Sequence, residues 1–244
     1  MWLESAVVLL PPREAQMSMS PQDSSDRRSF LTTLATGSAA LAAGAMALPL
    51  GTQTAFASPV DSGPVDEAWL GKLNGKHKQF FDAVTVNDGF PMGFAMNFLN
   101  LYNEAYKIPD ANLSAVVGLR HFATPLAFTD DIWARYKLGE FTKVIDPATK
   151  APATRNIFYH SHDGDLMMAG MGIEKLQARG VSFTVCNMAL TILSGMMAGT
   201  AGVTPEAAKK EWTAAVIPGM VLVPAGVLAV NRAQEKGCAY CFAG

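Results

Sequence analysis

The chain has 244 residues, with 19 Lys and Arg against 21 Asp and Glu, so its net charge is close to neutral. Half of it is hydrophobic and only 16% is charged, enough apolar material for one domain with a substantial core. No basic stripe and no interleaving of aromatic with basic residues occurs, which sets nucleic-acid binding aside.

The first segment reads as an export leader. Arg27 and Arg28 lie in Ser25-Asp-Arg-Arg-Ser-Phe-Leu31, a twin-arginine pattern. An Ala/Gly-rich, mildly apolar stretch follows from Leu34 to Leu50, and Ala55-Phe56-Ala57 supplies a small-x-small cleavage pattern. Gly, Ser and Thr dilute the apolar run below what a bilayer span prefers, so no membrane span is expected after removal of residues 1–57. Residues Met1 to Gln16 are foreign to such a leader, which makes Met17 or Met19 the expected start. The expected destination is the periplasm, or another compartment reached by twin-arginine export.

Residues 58–78 contain Pro59, Gly63, Pro64, Gly71 and Gly75 and read as a linker, with one helical turn around Glu67 to Leu70. The domain proper is expected over 79–244. Gln79 to Val84 suits a first strand. Phe90 to Lys107 places Phe94, Phe98, Leu101 and Tyr102 at helical spacing, and Pro109 ends that helix. Leu113 to Leu119 suits a buried parallel strand, with Arg120 to Pro125 as its outgoing loop. Thr129 or Asp130 can cap a helix carrying Ile132, Trp133, Tyr136 and Leu138. A polar insertion, 140–164, separates it from a helical pattern running from Asp165 to Gly180. Val181 to Cys186 reads as a strand and Asn187 to Met197 as a Met-rich helix. Thr204-Pro-Glu opens another helix. Met220 to Pro224, Ala225 to Lys236 and Cys238 to Phe242 then read as strand, helix and strand. This alternation predicts a mostly parallel sheet with helices on both faces.

Only three cysteines occur. Cys186 stands where a strand gives way to a helix, and helix N-terminal N–H groups at such a junction stabilise a thiolate; its alternative is a buried, inert thiol. His121 and Arg120 follow the neighbouring strand, one as an acid or base and the other as a positive charge. Thr124 and Asn187 are hydrogen-bonding neighbours. Cys238 and Cys241 form a C-x-x-C pair and are the redox candidates. On a regular strand, residues i and i+3 face opposite sides about 10 Å apart, whereas a disulfide needs Cα atoms within about 7 Å. A turn at Gly237 and Ala239 would let the pair close, and a last strand beside Cys186 would allow Cys186 to pair with either. His160 and His162 could chelate copper or zinc, with the tail thiols completing the set. The methionines Met167, Met168, Met171, Met188, Met196 and Met197 have the spacing of core packing or of a subunit interface.

Four segments carry a likeness beyond this. They are Asn97-Phe-Leu-Asn-Leu-Tyr102; Ala115-Val-Val-Gly-Leu-Arg-His121 with Pro125-Leu-Ala-Phe-Thr-Asp-Asp131; Leu176-Gln-Ala-Arg-Gly-Val-Ser-Phe-Thr-Val-Cys186; and Val223 through Gly237, with Tyr240 just beyond. In order and spacing they resemble the DsrE/DsrF-like family of sulfur-relay proteins. The resemblance implies a flavodoxin-like three-layer fold, trimers or hexamers, and a cysteine at position 186 that accepts a persulfide and passes sulfur between donor and acceptor proteins. The leader, the 140–164 insertion and the Cys238/Cys241 tail depart from the small relay proteins. The alternative expectation is a non-catalytic exported oligomer that binds a metal or small ligand through His160, His162 and the tail cysteines.

Overall fold

The computed structural model describes residues 65–244. The expected leader over 1–57, its start at Met17 or Met19, and the opening of the linker lie outside the described residues. Five parallel strands are ordered β4-β3-β2-β1-β5: β1 (His77–Ala83), β2 (Leu113–Leu119), β3 (Ser182–Cys186), β4 (Val221–Val223) and β5 (Ala239–Phe242). With helices on both faces, this is a three-layer, flavodoxin-like α/β fold.

The order of the strands fixes the layers. From β1 to β4 each step moves one strand in the same direction, and right-handed crossovers put those connections on one face. That face holds α1 (Phe90–Tyr106), α2 (Asp130–Arg135), α3 (Leu138–Thr142), α4 (Ile173–Ala178), α5 (Asn187–Ala201) and α6 (Pro205–Ala214). The step from β4 to β5 runs back across the sheet, so α7 (Gly226–Glu235) must cross the other face, and it touches all five strands.

Side-chain alternation separates two cores accordingly. Phe81, Val117, Phe183 and Val185 face the larger layer, where Trp133, Tyr136 and Trp212 are fully buried. Phe80, Val116 and Val223 face α7. A Cβ on Gly118 would lie 2.2 Å from the Phe80 ring, so β2 needs a glycine there to admit that ring.

Three segments differ from the sequence reading. The supposed linker is part of the body from Glu67 onward: a 3₁₀ turn, Ala68–Lys72, buries Trp69 and Leu70 against the α7 face, and Arg232 ties Glu67 at 2.7 Å. The helix expected from Asp165 to Gly180 is only α4 and a 3₁₀ turn at Ala169–Met171, because Gly170 and Gly172 interrupt it. Before α4, the part of the insertion that follows α3 is held by clips: Arg155 makes paired bonds to both Asp146 and Asp165, and the buried Asn156 amide donates to Leu126 O and Phe128 O. The last strand, finally, pairs with β1 and not with β3.

Candidate functional site

Open α/β sheets bind ligands outside the carboxyl ends of their strands, where neighbouring chains leave for opposite faces. Here that switch lies between β3, which feeds α5, and β4, which feeds α7. Cys186 is the last residue of β3 and stands in register with Val223, the last of β4. It is also the N-cap of α5. Its Sγ accepts the Ala189 N–H at 3.3 Å, and the residue is 7% exposed. The first turn of α7 opens on the same edge with no side chain capping it.

Arg120, directly after β2, supplies the charge. Its Nε and Nη2 donate to the two carboxylate oxygens of Asp82 at 2.7 and 2.8 Å, and the Tyr240 hydroxyl donates to the same carboxylate at 3.0 Å. Asp82 is buried near the end of β1 and Tyr240 lies on β5, so three adjacent strands fix one guanidinium. The bond to Asp82 raises the Arg120 pKa, burial opposes it, and the charges of Asp82, Tyr240 and Cys186 add to the rise. The Arg120 stem lies against the start of α7, where a Cβ on Gly226 would come within 2.6 Å of it. Asp82, Arg120 and Tyr240 line an open hollow of about 350 Å³ with Val227 and Val230.

Of the residues singled out by sequence, Arg120 and Cys186 belong to this edge. His121 does not join them by any hydrogen bond. Its φ of 54° turns the chain out of the strand line, and its exposed ring packs edge-on against Phe122 at 4.9 Å. Thr124 is fully buried with its hydroxyl unpartnered, and Asn187 is half-buried in the first turn of α5; neither bonds to Cys186.

The tail cysteines part as strand geometry requires. Cys238 packs in the α7-face core and Cys241 against the opposite core. All three thiols are free, and burial pushes those of Cys238 and Cys241 up. Pairing of either with Cys186 is also ruled out: β5 lies three strand spacings from β3, about 14 Å. His160 and His162 are drawn apart, His160 Nδ1 to Glu174 at 3.0 Å and His162 Nδ1 to Asp165 at 3.8 Å. Asp165 is already held by Arg155. Among the described residues no three His, Cys, Asp or Glu side chains group as a metal site for copper or zinc. No single described helix is long and apolar enough to cross a membrane.

Asp82, Tyr240 and Gly226 were not singled out by sequence as site residues. The available signal was one carboxylate inside the apolar run Gln79-Phe-Phe-Asp-Ala-Val84, since a charge there requires a partner. Comparison with known proteins gives no matching protein-family profile, no matching curated protein and no matching solved structure.

Proposed function

We propose that this chain is an exported DsrE-like protein that carries sulfane sulfur as a persulfide on Cys186. The observation that supports this reading is a thiol at the switch point of the sheet, at the N-cap of α5, on the same strand edge as an arginine fixed by Asp82 whose charge reaches it. Loading would proceed by attack of the Cys186 sulfur on the sulfane sulfur of a donor. One S–S bond forms on Cys186 while the donor's S–S bond breaks, and the electron pair leaves with the donor remnant: sulfite from thiosulfate, or a shortened polysulfide. Unloading reverses the pattern, with an acceptor thiolate taking the outer sulfur and Cys186 leaving as thiolate. The Ala189 N–H and the Arg120 guanidinium would stabilise the anionic sulfur in both steps. Arg120 and Cys186 are thus the acting groups, and Asp82 and Tyr240 position Arg120.

The proposal includes a homo-oligomer, a trimer or hexamer, and a periplasmic destination reached through Arg27 and Arg28. N-terminal sequencing of the exported form tests the leader, with a start at Ser58 expected. The sulfur chemistry is tested by incubating the purified protein with thiosulfate or polysulfide and measuring its intact mass. A gain of one sulfur is expected in the wild type and in Cys238→Ala and Cys241→Ala, and none in Cys186→Ala. No adduct on the wild type, or an adduct that survives Cys186→Ala, would sink the reading.

A further inference from the structure

A second hollow, of about 470 Å³, opens at the ends of β1, β2 and α3, and shares no residue with the Arg120 hollow. Its walls are Val86, Phe122 and Phe141, with Thr85, Asn87, Thr142 and Lys143 as its polar lining. Phe122 is 46% exposed, and its ring centroid lies 6.0 Å from that of Phe141 at a tilt of 55°. An exposed ring facing a void offers a surface on which another ring can pack.

Two of the four polar lining side chains are already engaged. The Asn87 amide donates to Ala243 O, and the Thr142 hydroxyl donates to Leu138 O. Lys143 is the one charged residue of the lining, and among the described residues its ammonium makes no salt bridge; Glu140, three residues before it, is drawn to Lys137. Three separate loops meet here, each with a residue other than glycine in the left-handed region: Asn87 at φ 43°, His121 at 54° and Lys143 at 60°. Asn accepts that conformation readily, whereas for Lys143 it is unfavourable, and strain of this kind persists where surrounding structure over-determines it, commonly at binding sites.

We propose that this hollow binds a small aromatic monocarboxylate, its ring against Phe122 and its carboxylate on the Lys143 ammonium. The volume falls in the range of small-molecule pockets, roughly 300–1,000 Å³, with mostly apolar walls and few polar anchors. A single ammonium neutralises one carboxylate and leaves a second unpaired, and the lining holds no acid to receive an amine.

The test is an NMR titration of the purified protein with benzoate, with benzamide as the neutral analogue and benzylamine as the reversed charge. Benzoate is expected to bind about fivefold or more tightly than benzamide, with benzylamine weakest. Lys143→Asn removes the charge with a residue that tolerates left-handed backbone. It is expected to bring benzoate down to the benzamide level while leaving benzamide unchanged. Phe122→Ala is expected to weaken all three, and Cys186→Ser to leave benzoate binding intact. No benzoate binding, equal affinities for the three probes, or undiminished benzoate binding by Lys143→Asn would overturn the proposal.

Discussion

A single carboxylate organises the strand edge. Asp82 receives three hydrogen bonds, from Arg120 twice and from Tyr240 once, in a place that water barely reaches. Asp82→Ala strands a partly buried guanidinium and a phenol, and is expected to cost about 3 kcal/mol of stability in urea unfolding. Tyr240→Phe removes only one donor and is expected to cost about 1 kcal/mol. Gly226→Ala differs in kind. The added methyl pushes on the Arg120 stem, so sulfur loading of Cys186 is expected to slow severalfold, while far-UV circular dichroism stays native. Loading at the wild-type rate would show that the place of Arg120 is immaterial. At this scale the sequence was partly legible. Cys186 and Arg120 announced themselves by standing at strand ends. Asp82 did not, because its partners lie 38 and 158 residues away and no local pattern links them. His121 was read from its place after the neighbouring strand, and the left-handed φ that turns the chain there has no local sequence signal.

Elements with a steady period were the readable ones. Leu113 to Leu119 forms the strand expected of a short apolar run, and Thr204 caps α6 through the Ala207 N–H as a Thr-Pro start implies. The region from 143 to 172 resisted, since its order comes from the clip on Arg155 and from Asn156 rather than from any periodicity. The position of β5 was equally hidden: a short strand after a helix can join either side of a sheet, and only the completed layers decide. Helix α5 has no charged residue, and it exposes Met188, Ile192 and Met196, spaced four apart on one stripe. The homo-oligomer of the proposed function is expected to form through this stripe. Ile192→Glu is then expected to lower the mass seen by analytical ultracentrifugation toward that of one chain, with the fold retained.

For the whole molecule, ionisation sets limits on both sides of neutral. Arg155 holds Asp165 below the usual carboxylate range. Burial pushes Asp146 up, but the bonds from Arg155 and the Ala148 N–H outweigh it and leave Asp146 lowered as well. Carboxyls lowered in the folded state stabilise it above their unfolded value of about 3.9 and lose that contribution as pH falls through the folded values. The urea midpoint is therefore expected to drop between about pH 5 and pH 2, and Arg155→Met is expected to flatten that drop. On the alkaline side, burial and then the bond to Glu211 raise Tyr136 to about 12. Stability from this phenol is complete below about pH 10 and is lost as pH climbs through the folded value, an onset that Tyr136→Phe is expected to delay.

The place of β5 also bears on the order in which the molecule can assemble. Its partner strand β1 precedes it by the whole α/β body, so this pairing closes one of the longest loops in the chain. Contacts of such separation form slowly. Until β5 docks, β1 presents a bare edge of unpaired backbone groups, open to strands from other chains. The cradle that holds Arg120 is completed by that same docking, because Tyr240 travels with β5. Completion of the Arg120 cradle and cover for the β1 edge thus depend on one and the same docking step.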